Sequence, residues 1–213
     1  MLVLGINTVS DVCEAALTQG SALALERSEA MSKGHDARLA PLVEELMREA
    51  GVGFARLDRI AVIVGPGSFT GVRVGVAFAR GLALALDKPA VGVTSLEALA
   101  FGSHGRVLAA LPAKRRPPEL TWWAQMIEAG RGAGGPVEAD AAGLRAMTPG
   151  ASAIWGWGLA EAALGQAIRE AQPTAGAAAR FAAGLGDGDL PPPRPIYVRE
   201  PDATPQIRQA DRS

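Results

Sequence analysis

The chain has 213 residues, 48% of them hydrophobic, with 21 basic and 22 acidic side chains and a net charge of −1. That is enough for one large domain or two small ones with a real core, and it excludes a disordered chain. Near-neutrality gives no electrostatic basis for binding nucleic acid alone, and the single Cys13 excludes a disulfide framework or a cysteine zinc site, as fits a reducing cytoplasm.

The opening run, residues 1–9, is nearly continuously apolar and reads as a central strand buried on both faces. It lacks a basic n-region and a cleavage site, so a signal peptide is not expected. Residues 13–26 form two apolar runs broken at Gln19-Gly20, a hairpin signal, so three strands are expected in succession. A helix is predicted over 36–51, with Leu39, Leu42, Val43, Leu46 and Met47 at helical spacing and a stop at Gly51. Residues 59–67 read as a buried strand, 70–86 as a helix, 88–93 as a short strand, and 95–102 as a helix start with Ser95 as N-cap. The run Val72 to Leu86 carries Arg73 and Arg80 and is too short and polar to span a membrane.

In the second half, 106–113 and 119–128 read as hairpin partners, and 130–153 is a loosely defined Gly/Ala-rich stretch. Residues 153–158 read as a strand leading into a helix over 159–172, and an alanine-rich helix is expected over 174–184. A proline-stiffened connector follows into a last strand at 195–199, and the tail 201–213 reads as flexible. The β-β-β-α-β-α order, repeated in shortened form after about residue 106, predicts two lobes, 1–105 and 106–200.

The turn "GPGSFTG" (residues 65–71) fails both common phosphate patterns. A P-loop needs Lys-Ser or Lys-Thr where Val72-Arg73 stand, and the dinucleotide fingerprint needs glycine where Thr70 stands. A glycine turn before a helix N-terminus still offers free N–H groups to an anion; the plainer reading is a tight turn capped by Ser68 or Thr70. Behind it, Gly71, Gly75 and Ala79 recur at i, i+4, i+8 as a stripe without bulk. Tight packing within one domain and a partner helix crossing at short distance both account for it. At the first turn, Asn7 stands where actin-like ATPases place an aspartate; Thr8, Ser10 and Asp11 are the other polar candidates, against an ordinary Asx turn. His35 and His104 stand alone, so neither a metal cluster nor a hydrolase triad is expected, and His35 reads as a surface or capping residue. The pairs Trp122-Trp123 and Trp155/Trp157 read as core or lobe-interface packing.

The segment "GPGSFTGVRVGVAFARGLALAL" followed by "VGVTSLEALA", with "LGINTVSDVCEAAL", "GHDARLAPLVEELM" and the late "PIYVRE", resembles the TsaB (YeaZ) family. The resemblance covers most of the first 112 residues and one late strand; where members carry a D-A-R-like segment, this chain has Pro112-Ala113-Lys114. It implies an α/β, two-lobed actin-like/RNase H-like (ASKHA) fold with mixed sheets and a shortened second lobe. The implied function is that of a non-catalytic scaffold in making threonylcarbamoyladenosine at position 37 of tRNA (t6A37). Its partners would be a TsaD-like catalytic subunit and a TsaE-like ATPase, with homodimerisation through the same first-lobe helices and tRNA met only through the complex. No cofactor of its own is implied, the interface with the catalytic subunit being the candidate place for ATP or ADP. Candidate interface residues are Leu39, Val43, Gly71, Arg73, Gly75, Val76, Ala79 and Arg80; candidate nucleotide or anion contacts are Asn7, Thr8, Ser10, Ser68 and Thr70. The alternatives are an actin-like nucleotide-binding enzyme and a glycoprotease-like (M22) chain.

Overall fold

The computed structural model describes residues 1–116 and 119–198, without the side chains of 114–116. In chain order the elements are β1 (Leu2–Asn7), β2 (Val12–Gln19), β3 (Ala22–Ala30), α1 (His35–Glu49), β4 (Arg59–Ile63), α2 (Phe69–Leu86), β5 (Ala90–Val93) and α3 (Ser95–Leu99). Then come β6 (Arg106–Arg116), β7 (Glu119–Glu128), β8 (Arg131–Ala139), α4 (Ala141–Met147), β9 (Ala153–Gly156), β10 (Ile168–Glu170) and α5 (Ala175–Ala183). They build two five-stranded mixed sheets, ordered β3-β2-β1-β4-β5 and β10-β9-β6-β7-β8. In each, two antiparallel pairings in hairpin order are followed by two parallel ones. The second sheet thus repeats the first, and the fold is the actin-like α/β fold expected.

Both faces of the first sheet are covered at its centre, which is why Leu2–Ile6 and Ile60–Ile63 are continuously apolar. Leu4, Ile6, Ile60 and Val62 share one register face and Val3, Gly5, Arg59 and Ala61 the other. α2 meets the first face, where Gly75 approaches Val62. α5 meets the second, where a Cβ on Gly5 would lie 2.1 Å from the Ala175 carbonyl oxygen. Arg59 is buried there, and its Nη1 donates to the carbonyls of Ala182 (2.6 Å) and Leu185 (2.8 Å) while Nη2 meets Asp187. A cation at a helix C-terminus satisfies carbonyls that the helix itself leaves open.

This placement corrects the expected lobe limits. α5, inside the 106–200 range, packs into the core of the first sheet through Ala178, Ala179, Phe181 and Ala182. α3, inside 1–105, gives Leu96, Leu99 and Ala100 to the second sheet's core. The two sheets exchange the helices that follow their last strands.

The helix expected over 159–172 does not form. Ala160–Ala162 is a single 3₁₀ turn, Ala163 (φ 47°) and Gly165 (φ 69°) turn the backbone left-handed, and Ile168–Glu170 pairs with β9. An open sheet edge outweighed helix propensity. The loosely defined 130–153 stretch contains β8 and α4, the latter capped by Asp140, whose carboxylate accepts from the Gly143 N–H (2.7 Å). Thr94, not Ser95, caps α3, in a capping box with Glu97; Ser95 instead donates to the Pro66 carbonyl (2.7 Å). Residues 195–198 are not a strand: the segment crosses the first sheet with the Gly92 N–H donating to Pro191 O and the Ile196 N–H to Val64 O, each 2.8 Å. Prolines 191–193 and 195 have no N–H for a ladder. Arg199, the last residue of that expected strand, and the tail 201–213 lie outside the described residues.

Candidate functional site

Two places concentrate the residues singled out by sequence: the cleft between the sheets, and the outer side of α2. The cleft holds about 390 Å³ and is walled by the β1–β2 turn (Val9, Ser10, Asp11), the glycine turn (Pro66, Gly67, Ser68) and Leu111, Pro112, Trp123 and Trp157 from the second lobe. Of the five residues expected to contact an anion, Ser10 and Ser68 line it. Asn7 does not. Its Nδ2 donates to Glu14 (2.9 Å) and to Pro173 O (3.0 Å), and its Oδ1 accepts from the Val9 N–H (3.2 Å). Thr8 is buried, with its hydroxyl donating to Gly71 O (2.7 Å). Thr70 is exposed on α2 outside the cleft lining.

Glu14 is the carboxylate that Asn7 serves. It also accepts from the Ala175 N–H (2.9 Å), tying α5 to the first hairpin, and burial raises its pKa above the ordinary carboxylate value. An aspartate at position 7 would face that carboxylate, whereas the amide can donate to it. Asn7 therefore acts as a strut that braces the first turn against Glu14 and Pro173. Among the described side chains lining the cleft none is basic, and the charged one is Asp11. The described lining thus offers a polyphosphate no counter-charge. Calorimetry of the isolated chain with Mg-ATP is expected to give no binding heat at micromolar concentrations; micromolar affinity would restore the nucleotide-binding enzyme.

His35, read as a surface or capping residue, is buried, and its Nε2 donates to Val12 O (3.1 Å), pinning the start of α1 to β2. Cys13 is fully buried, and burial, reinforced by Glu29, pushes its thiol up to about 11. The thiolate is the reactive form. Thiol reagents at pH 8 are thus expected to spare the native chain and label it only after denaturation; labelling of the native chain would place Cys13 outside the core.

The small-residue stripe of α2 faces inward. A Cβ on Gly71 would lie 1.8 Å from the Thr8 carbonyl oxygen, and one on Gly75 2.5 Å from the Thr8 hydroxyl. Val76, Ala79, Leu39 and Val43 are also core residues. Six of the eight expected interface residues are therefore consumed within this chain, because the helix must sit against the β1–β2 turn; packing within the domain explains the glycines.

The outer side of α2 carries Phe69, Arg73, Ala77, Arg80 and Leu84 in one stripe, all exposed, with Leu84 85% exposed. Of the expected contacts, Arg73 and Arg80 stand here. A Cβ added at Gly81 would meet nothing within 4 Å, so the cost of that glycine to the helix is not offset by internal packing. By length and composition α2 could cross a membrane, but one side of it is spent on the sheet and the other bears two arginines. Beside it, α1 turns Asp36, Pro41 and Glu44 outward. Phe69 and Leu84, missed in the sequence, had a signal: the side of α2 that carries Arg73 and Arg80 also carries large apolar residues.

Three comparisons bear on this arrangement. The family model for TsaD, tRNA N6-adenosine threonylcarbamoyltransferase, matches residues 28–116. An uncharacterized protein of Mycobacterium tuberculosis is 33% identical over 206 residues, 95% of this chain and 94% of its own length. The tRNA threonylcarbamoyladenosine biosynthesis protein TsaB of Escherichia coli is 35% identical over 127 residues, 57% of this chain and 54% of that protein. Among solved structures, YeaZ from Pseudomonas aeruginosa superposes with a TM-score of 0.68 at 29% identity, over 92% of this chain and 99% of that one.

Proposed function

Because this chain belongs to the TsaB (YeaZ) family, we propose that it serves tRNA threonylcarbamoyladenosine biosynthesis as a scaffold without catalytic activity of its own, docking a TsaD-like catalytic subunit on the outer side of α2. The observation that carries this reading is the exposed stripe Phe69, Arg73, Ala77, Arg80 and Leu84, two large apolar side chains and two arginines on a helix whose other side is already packed. Exposed large apolar side chains such as Phe69 and Leu84 cost solvation unless a partner covers them.

The TsaD family model matches the very segment, residues 28–116, that contains α1 and α2. A TsaD-like subunit thus offers an equivalent pair of helices, and two such pairs can meet about a quasi-two-fold axis. Asp36 and Glu44, exposed on α1, supply the charge opposite to that of Arg73 and Arg80. A second copy of this chain fits the same face, so a homodimer is the resting alternative. A TsaE-like ATPase joins the assembly, tRNA is met through the complex in the cytoplasm, and any ATP or ADP sits at the heterodimer interface rather than in the cleft.

The test is reconstitution of tRNA modification from purified components with and without this chain, and with Leu84→Asp in its place. Dependence on the chain, lost with the variant, supports the scaffold; full modification without the chain removes it.

A further inference from the structure

The late "PIYVRE" segment plays no part in the docking of α2 alone, yet its path leads to the same helix. Residues 191–198 form a strap held to the first sheet by main-chain hydrogen bonds from Gly92 to Pro191 O and from Ile196 to Val64 O. Gly65, at φ 96°, makes room for it, since a Cβ there would lie 2.8 Å from the Ile196 carbonyl oxygen. The strap thereby sets Tyr197 beside the first turn of α2. The Tyr197 and Phe69 rings lie 5.1 Å apart, and the Arg73 guanidinium stands 3.7 Å from the Phe69 centroid and 5.9 Å from that of Tyr197. Arg73 Nε donates to the Tyr197 hydroxyl (3.1 Å).

These three side chains are exposed and contribute nothing to the core, with Tyr197 at 41% and Phe69 at 36%. We propose that the C-terminal strap is part of the docking surface, and that Phe69, Arg73 and Tyr197 form one anchor gripped by the TsaD-like partner. The inference rests on the α2 docking face proposed above. The rings and the tyrosine hydroxyl hold the guanidinium in place, and its two terminal nitrogens have no hydrogen-bond partner among the described residues. A guanidinium pre-oriented over an aromatic ring recognises a carboxylate in bidentate fashion. Tyrosine and arginine are also enriched where truncation costs most in interfaces. The occupant it fits is a partner helix carrying an Asp or Glu beside an apolar residue.

The experiment measures the affinity of the full chain for the TsaD-like subunit, with melting temperature as a control, for Tyr197→Ala, Tyr197→Phe, Arg73→Lys and Leu84→Asp. Tyr197→Ala and Arg73→Lys are each expected to weaken binding about tenfold or more. Tyr197→Phe, which keeps the ring, should weaken it less. Tyr197→Ala combined with Arg73→Lys should lose little beyond either single variant, because the residues act as a unit. Wild-type affinity in Tyr197→Ala and Arg73→Lys while Leu84→Asp weakens binding would overturn the anchor and leave the docking face standing. Wild-type affinity in all the variants removes the face and the anchor together. Should Tyr197→Ala lower the melting temperature, Arg73→Lys decides, since it alters only an exposed guanidinium.

Discussion

Gly71→Ala is expected to cost the chain about 3 kcal/mol or more, lowering the melting temperature by about 10 °C. Helix propensity alone predicts the opposite, since alanine is the better helix former by roughly 1 kcal/mol. The added methyl, however, would sit 1.8 Å from the Thr8 carbonyl oxygen. That oxygen is main chain, in a turn braced by Asn7 through Val9, Glu14 and Pro173. Moving α2 away would break the Thr8 hydroxyl bond to Gly71 O and the Ser68 N–H bond to Val9 O. Neither side can yield cheaply. Gly81→Ala is the matched control: nothing lies within 4 Å, so it should stabilise by roughly 0.5–1 kcal/mol. A thermal melt in which Gly71→Ala equals or exceeds wild type would disprove this packing.

Leu84→Asp is expected to weaken partner docking about 30-fold or more while leaving the fold intact. The side chain is 85% exposed and outside the core, so the change in stability should stay within about 1 kcal/mol, part of it from a carboxylate near a helix C-terminus. In the complex the aspartate would be stranded in an apolar contact. An interface residue of this kind costs about 2 kcal/mol or more, roughly a 30-fold loss of affinity. Reconstituted tRNA modification should fall with it. Unchanged affinity and activity would move the docking face elsewhere on the molecule. Gly75→Leu is not a clean substitute, because it would drive a side chain into Thr8 and Val62 and damage the monomer.

The candidate site was legible in part. Ser10 and Ser68 do line a cleft, and Arg73 and Arg80 do stand on one exposed side of α2. Asn7 was legible as a departure from the actin-like pattern, but its use was not: Glu14 is seven residues away and Pro173 is 166. The capping box Thr94-x-x-Glu97 was readable. The absence of a helix at 159–172 was not, because the sheet edge that captured Ile168–Glu170 belongs to β9 and is visible only after folding.

The sequence by itself determined the local elements of the first lobe, the mixed topology and the family, since buried strands, apolar periodicity and glycine turns are short-range signals. It also determined that α2 is a helix apolar nearly all round. Only the tertiary structure decided which side of α2 faces in. Two arginines among Phe69, Ala77 and Leu84 do not make a fully polar stripe, so the glycine side and the leucine side could each meet a neighbour. The Thr8 carbonyl settled it, because main chain can approach that closely only where Gly71 and Gly75 have no side chain. The leucine side, with the strap's Tyr197 beside it, stayed exposed.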